Sequence, residues 1–299
     1  MENRIHFSVI MPTYNQCSFI RRAISSIMGQ SYKKWELIII NDGCTDETED
    51  YISDYLMDKR ITYIRNKQNM GLGYALNQGL DVSHYDHIAY LPSDDFYFPH
   101  HLESMAEMLS NEENVLAYSG VQYNTNDTMN RNGHTKTKQI LDFHCLQLVQ
   151  TAHRKIGKLR WTERKEFLAE DLFLMFWHKL AEEGYFVPTN TVSCFWTRHP
   201  LQRHRILSEK YGGGLNKYRN HYHTGEPLKI KVSRNKFINE EDSYKDFRNE
   251  DFEKEINSIS NQDLYSAAGE DDVFDLSSFS SKNEQQTDLG KKNKKKSKR

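Results

Sequence analysis

Ser93-Asp94-Asp95 closes an apolar run and sets two carboxylates side by side. Buried carboxylates are costly unless they bind a cation or accept hydrogen bonds. A hard divalent ion prefers oxygen ligands, and Mg2+ typically takes one or two carboxylates plus phosphate oxygens. Such an ion bridges a diphosphate and neutralises charge on a leaving group. The competing reading is a cap for the helix that starts near Pro99. Asn41-Asp-Gly-Cys-Thr-Asp46 puts Asp42 and Asp46 around a glycine turn. A carboxylate there can accept from a nucleobase imide or a ribose hydroxyl, although Asp-Gly also marks ordinary turns and Asp46 suits a helix N-cap. Glu170-Asp171 directly precedes the apolar Leu172-Phe-Leu-Met-Phe-Trp177. A carboxylate facing a sugar pocket can take a proton from an acceptor hydroxyl. The same position also serves as an N-cap or a partner of the helix dipole.

Arg198-His199 is followed by Arg203, His204 and Arg205. Cations beside a diphosphate stabilise it as a leaving group. Arg203 to Arg205 also read as a solvated basic loop. His153-Arg154-Lys155 is a weaker case of the same kind. Trp161, Trp177 and Trp196 either stack on sugar or fill the core. Trp177 lies in a strongly apolar helix and is assigned to the core.

The elements that must carry these residues alternate in type. Phe7 to Pro12, Trp35 to Asp42, Ile61 to Arg65 and His87 to Leu91 read as strands. Between them, Ser18 to Gly29 has apolar residues at helical spacing, Thr45 to Met57 reads as a helix capped by its threonine, and Leu72 to Val82 reads as a third helix. Strands alternating with helices imply a parallel sheet covered on both faces. Ligands of such sheets bind outside the carboxyl ends of the strands. Thr13-Tyr14-Asn15, Asp42-Gly43 and Ser93-Asp94-Asp95 each follow a strand, so all three should meet at one edge. Further on, Val115 to Tyr123 reads as a strand and Asn124 to Lys138 as a loop. Cys145 to His153 is apolar, Phe167 to Leu180 holds a helix, and Tyr185 to Arg198 is strand-rich. Tyr211-Gly-Gly-Gly214 reads as a flexible connection.

The 299 residues suffice for one large domain or two modest ones. A net charge of -2 gives no global indication of nucleic acid. No apolar run approaches the roughly 18–20 residues that span a bilayer. The early strand leaves no room for a signal peptide, so a cytoplasmic location is expected. Cys17, Cys44, Cys145 and Cys194 lie at no metal-binding spacing and read as reduced thiols. From about Asn239 acidic, Asn and Ser residues dominate, and Lys291 to Arg299 is almost wholly basic. This end is expected to be a disordered, charge-segregated tail. Its basic stretch either touches an anionic membrane, at ~1 kcal/mol per basic residue, or is simply solvated.

In this order the motifs resemble a known family. Phe7-Ser-Val-Ile-Met-Pro-Thr-Tyr-Asn15 resembles the opening strand and nucleotide loop of family 2 glycosyltransferases, which have the GT-A fold. Leu37-Ile-Ile-Ile-Asn-Asp-Gly-Cys-Thr-Asp46 resembles that family's second strand and turn. Asn69-Met-Gly-Leu-Gly-Tyr-Ala-Leu-Asn77 is similar to its third helix entry, and Tyr90-Leu-Pro-Ser-Asp-Asp95 to its metal-binding strand end. Glu170-Asp171 occupies the place of its acidic pair, and Phe195-Trp-Thr-Arg-His199 resembles its late basic segment. The resemblance is strongest over residues 5–110 and extends to about 207. One departure is Pro92, where many relatives carry an aspartate.

The resemblance implies an α/β protein with a GT-A (Rossmann-like), mostly parallel sheet flanked by helices, to which the composition adds a disordered C-terminal tail. The expected division is a nucleotide-sugar-binding half at 1–110, an acceptor-binding half with C-terminal helices at 111–239, and the charged tail at 240–299. Pro12, Thr13, Tyr14, Asn15, Gly71 and Ser93 would line the nucleotide pocket, and Asp42 would bind the base. Asp94 would contact ribose or metal, Asp95 would be the principal ligand of Mn2+ or Mg2+, and His199 would approach the diphosphate. Asp171 would be the general base, supported by Glu170. The implied activity is inverting transfer from a nucleotide-diphosphate sugar, a UDP-sugar by preference, to a hydroxyl on a saccharide, glycolipid or other acceptor. The enzyme would be cytoplasmic or peripheral at the inner face of a membrane. Two rival readings are a non-catalytic nucleotide-sugar-binding or partner-docking protein and a nucleotidyltransferase. The second wants a glycine-rich phosphate loop after the first strand, where this chain has Pro12-Thr-Tyr-Asn-Gln16.

Overall fold

The computed structural model describes residues 5–123, 146–163, 167–169, 172–208, 212–223, 229–233 and 236–239. The core of the fold is a sheet in which runs of apolar residues lie fully buried. Strands β1 (Phe7–Thr13) and β2 (Trp35–Asn41) are buried at every position. Such runs, without polar alternation, are the mark of parallel strands covered on both faces. They join β3 (Ile61–Arg65) and β4 (His87–Tyr90) in the parallel order β3-β2-β1-β4. The remaining strands of this eight-stranded sheet are β5 (Phe96–Tyr97), β6 (Asn114–Tyr123), β7 (Thr151–Arg154) and β9 (Tyr185–Trp196). Here β7 runs antiparallel to β4 and β6, β9 is parallel to β6, and β5 is antiparallel to β9. A second sheet of three strands has the order β11-β10-β8, formed by β8 (Phe167–Ala169), β10 (Lys229–Ser233) and β11 (Lys236–Asn239).

Helices cover both faces of the large sheet. On one face, α1 (Cys17–Met28) and α4 (His101–Leu109) bury Ile20, Ile24, Ile27, Leu102 and Met105 against Val9, Met11, Leu37 and Ile39. On the other, α3 (Leu72–Val82) and α5 (Leu172–Ala181) bury Leu76, Leu80, Phe176 and Trp177 against Ile10, Ile88 and Tyr90. Alternate residues of β1 thus face opposite layers, as the period of two demands. The expected α/β sheet flanked by helices is therefore present.

Several elements differ from the sequence reading. The stretch expected as a helix from Thr45 starts later, at α2 (Thr48–Ile52), and continues as a 3-10 turn over Ser53–Met57. Asp46, not Thr45, satisfies its start, accepting from the Thr48 amide (3.1 Å) and hydroxyl (2.5 Å). The helix expected from Phe167 to Leu180 is a strand followed by a helix: the apolar Phe167-Leu-Ala169 pairs with β10. A short 3-10 turn, Leu148–Gln150, precedes β7 in the apolar stretch around His153. The glycines at 212–214 form a packed turn between α6 (Arg203–Leu207) and α7 (Leu215–Tyr222). The Gly213 amide donates to the Ser208 carbonyl (3.0 Å) and the Gly214 amide to the Ile206 carbonyl (3.0 Å). The expected loop at 124–138, Cys145 and the tail at 240–299 lie outside the described residues. Cys17, Cys44 and Cys194 are free thiols, all buried.

Gly79 shows how closely α3 approaches the sheet. A Cβ at this position would lie 2.4 Å from Ile10 Cγ2. Gly79→Ala should therefore destabilise the fold by about 1–3 kcal/mol, as overpacking of a tight core does. The midpoint of urea unfolding should fall while its slope stays constant.

Candidate functional site

The clusters that follow β1, β2 and β4 meet at the carboxyl edge of the sheet. Asn15, at φ 51, donates its amide to Cys44 Sγ (3.2 Å), and its side-chain oxygen accepts the Thr45 amide (2.8 Å). The loop after β1 is thereby laced to the loop after β2. Ser93 Oγ donates to Thr13 Oγ1 (2.9 Å), and the Ser93 amide donates to the Pro12 carbonyl (3.4 Å), which joins β1 to the turn after β4. Tyr14 is half-buried under α7, with its ring 5.0 Å from Tyr222 and its hydroxyl 3.4 Å from the His221 carbonyl. Burial, with the neighbouring Cys44 and Asp42, pushes the Tyr14 hydroxyl up to about 12.

Asp42 is buried and collects three donors from the segment between β3 and α3. Its Oδ1 accepts from Asn66 Nδ2 (2.7 Å) and the Met70 amide (3.0 Å), and its Oδ2 accepts from the Gly71 amide (2.9 Å). Gly71 sits at φ 95, a conformation open to glycine at little cost. Burial raises the Asp42 carboxyl from 3.8 to about 6, against the pull of these three hydrogen bonds. A carboxylate offers about four acceptor positions. Asp42 is thus first a knot for the α3 entry, with three of those positions filled by the protein itself.

The turn after β4 carries the other carboxylates. Asp95 is buried, and its Oδ1 accepts the Thr197 amide (2.8 Å). Burial and the adjacent Asp94 charge push Asp95 well above the usual carboxylate range. Asp94 Oδ2 lies 3.0 Å from His199 Nε2, and the His199 ring stacks on Phe19 at 5.0 Å. His199 Nδ1 is buried with no hydrogen-bond partner among the described residues. The donor set at Asp94 and Asp95 suits a hard divalent cation, because added positive charge offsets the burial of Asp95 and the charge of the adjacent, half-buried Asp94. Among the described residues no three His, Cys, Asp or Glu side chains cluster as metal ligands. The remaining ligands would then be diphosphate oxygens.

Pro12, Thr13, Tyr14, Asn15, Asp42, Gly71, Ser93, Asp94, Asp95 and His199 are therefore placed around one edge. Glu170 and Asp171 lie outside the described residues. Asp46 is a structural capping residue: besides Thr48 it accepts the Cys17 amide at the start of α1 (3.0 Å). Arg203, expected as part of a solvated loop, instead forms an ion pair with the fully buried Glu163. Glu163 also accepts the Gly73 amide (2.7 Å) and the Ala169 amide (3.2 Å). The His153 group serves the opposite end of the sheet, where Arg154 pairs in register with His87, the first residue of β4. Arg154 Nε donates to the Asn114 carbonyl (3.0 Å), Lys155 Nζ to Ser83 Oγ (2.7 Å), and His153 Nε2 lies 2.8 Å from the Tyr90 hydroxyl. Trp161 stacks on Phe176 at 3.9 Å and, like Trp177, is core; Trp196 is half-buried beside His204.

The sequence reading does not single out Glu163 or Arg22, and it takes Thr197 only as part of the Phe195–His199 segment. Arg22 had a signal, since it lies three residues after Phe19 on the helix flank facing the sheet edge. Glu163 had none in its polar surroundings.

The model of glycosyl transferase family 2 matches residues 8–184, more than half of the chain. The chain belongs to glycosyltransferase family 2. An uncharacterised glycosyltransferase of Rickettsia typhi is 36% identical over 117 residues, which is 38% of this chain and 36% of the relative. The chain thus spans about a third of such curated relatives. S. aureus TarS, solved with UDP-GlcNAc, superposes with a TM-score of 0.57 at 16% identity, covering 69% of this chain and 63% of TarS. The mannosyltransferase PcManGT of Pyrobaculum calidifontis, solved with GDP-Man and Mn2+, gives 0.50 at 14% identity, covering 74% and 70%. These likenesses establish the GT-A fold of this family 2 member.

Two expectations follow. Because folding takes up a proton at Asp42 between pH ~4 and ~6, its stability contribution is greatest below pH 4 and falls as pH rises through 6. The stability of wild type relative to Asp42→Asn should decline across that window, by at most about 1.4 kcal/mol per pH unit. Chemical denaturation at several pH values reads this. Separately, Arg203→Met leaves Glu163 buried without its cation and should cost about 3–5 kcal/mol in the same measurement.

Proposed function

We propose that this family 2 glycosyltransferase moves a sugar from a nucleotide-diphosphate donor, a UDP-sugar by preference, to an acceptor hydroxyl with inversion. The observation that carries this reading is the meeting of Tyr14, Asp42, Asp94, Asp95 and His199 at one sheet edge. The ligands in the TarS and PcManGT complexes, UDP-GlcNAc and GDP-Man, support a nucleotide-sugar donor. The Mn2+ with PcManGT supports a divalent cation, Mn2+ or Mg2+. Asp95 and Asp94 would hold it, and when bound it supplies positive charge to the departing diphosphate.

Thr13, Tyr14 and Asn15 shape the nucleoside side of the pocket, and Asp42 presents its remaining acceptor position to the base. Asp171 accepts the proton of the acceptor hydroxyl as that oxygen bonds to the anomeric carbon, and Glu170 supports it. The bond from that carbon to the diphosphate oxygen breaks on the opposite face, which inverts the centre. Residues 1–110 would form the donor half and 111–239 the acceptor half. Residues 240–299 would be a charged tail whose Lys291–Arg299 end contacts an anionic membrane weakly or is solvated. No helix among the described residues is long and apolar enough to cross a membrane.

The test is transfer and donor hydrolysis by the full chain with a panel of UDP- and GDP-sugars, with and without Mn2+. The correct donor at 100 times its dissociation constant should stabilise the fold by about 2.7 kcal/mol in a thermal-shift series. Asp171→Ala should lower kcat by about 10²–10⁴-fold, the usual worth of a general base. Asp95→Ala should abolish the response to Mn2+. Unchanged turnover in both variants would sink the assignment, and donor binding without turnover across a broad acceptor screen would favour a non-catalytic binding protein.

A further inference from the structure

Arg22 is a half-buried cation beside the Asp94–Asp95 turn, yet its contacts are not those of an ion pair. Its guanidinium lies 4.8 Å above the Phe96 ring and 5.7 Å from the Phe19 ring, in an apolar sandwich. One terminal nitrogen, Nη2, donates to the Asp94 carbonyl (3.0 Å) and to Thr197 Oγ1 (2.7 Å). Thr197 in turn gives its amide to Asp95 Oδ1 (2.8 Å). The contacts form a closed circuit: Arg22 grips the backbone of the turn and, through Thr197, the residue that aims the Asp95 side chain. Among the described residues Arg22 makes no ion pair with Asp94 or Asp95.

That geometry separates two roles for a buried arginine. A cation placed only to neutralise the aspartates would fork onto a carboxylate, because the planar guanidinium matches it in two parallel bonds. This one takes a carbonyl and a hydroxyl instead, so its charge favours the ionised aspartates from nearby while their carboxylate oxygens stay open to another cation. The Phe96 ring lies under the guanidinium, and the residues Arg22 touches belong to four segments: α1, the turn after β4, β5 and the end of β9.

We propose that Arg22 is a positioning residue for cation binding, holding the Asp94–Asp95 turn and Thr197 so that the carboxylates are presented in the geometry a divalent ion requires. This rests on the proposed cation site at Asp95 and Asp94. Partners one step beyond the ligands commonly govern affinity by about 10–100-fold when removed.

The experiment titrates Mn2+ into the full chain with UDP present and follows free Mn2+ by its electron paramagnetic resonance signal. Thermal unfolding without metal runs in parallel. Arg22→Met should raise the Mn2+ dissociation constant roughly 10–100-fold. Arg22→Lys, which keeps the charge but not the fork, should lie between that variant and wild type. Thr197→Val removes the hydroxyl that accepts from Arg22, keeps the amide that holds Asp95, and should weaken Mn2+ in the same direction. It carries the test should Arg22→Met fail to fold. Lower thermal stability with Mn2+ affinity indistinguishable from wild type, in folded Arg22→Lys and Thr197→Val, overturns the assignment. Wild type that binds no Mn2+ beside UDP overturns the cation site itself, and so separates that failure from the first.

Discussion

A carboxylate withdrawn from water must find donors, and this molecule is organised around that demand. Asp42, Asp46, Asp95 and Glu163 lie near the carboxyl edge, each bonded to backbone amides of other segments, Asp42 and Glu163 sharing the head of α3. Asp42 holds the entry to α3, Asp46 the starts of α1 and α2, Asp95 the end of β9, and Glu163 joins α3 to β8. Hydrogen bonds to charged groups contribute about 1.5–3 kcal/mol each, and a charge left unmatched costs more. The loops of this edge are therefore held by charge, while the layers beneath them are held by apolar burial. The two systems meet where β1, β2 and β4 end, and there the resemblance places the donor pocket.

The sequence reveals the first half of this arrangement and conceals most of the second. From β1 to α4 the periods are clean: Phe7 to Thr13 and Trp35 to Asn41 are unbroken runs, and α1 and α3 carry apolar residues at helical spacing. The rule that ligands gather at the carboxyl edge of parallel strands then places Thr13, Asp42 and Asp95 together without coordinates. Phe167-Leu-Ala169 fails this treatment because three apolar residues fit a strand or a helix equally. The pairing with β10, more than 60 residues away, decides it. Contacts such as Glu163 with Gly73 and Arg203 with Glu163 span 90 and 40 residues, and no local pattern announces them. Arg203 was misread for that reason: its neighbours in sequence are polar, but its neighbours in space are a buried glutamate and the Ala169 carbonyl.

Location also sorts the histidines. His153 and His101 lie inside the core, where desolvation holds them down to about 4 and about 3, so both are neutral packing groups, His153 bonded through both ring nitrogens and His101 through Nδ1 to Ser193. His199 differs because it faces Asp94 on one side and the Phe19 ring on another. His199 is buried as well, so what separates it from the other two is its place at the carboxyl edge of the sheet and not residue type or burial.

The head of α3 has a consequence for how the molecule can treat an anion. In folds that cradle phosphates with backbone alone, the exposed amides at a helix start do the holding. Here the amides of Met70, Gly71 and Gly73 already point at Asp42 and Glu163. Under the proposed function, a diphosphate at this edge would lie beside carboxylates and not beside those three amides. Its charge would then be met by a bound cation and by side chains at the end of β9, which would make its recognition more sensitive to the ionic medium than a glycine-rich cradle is.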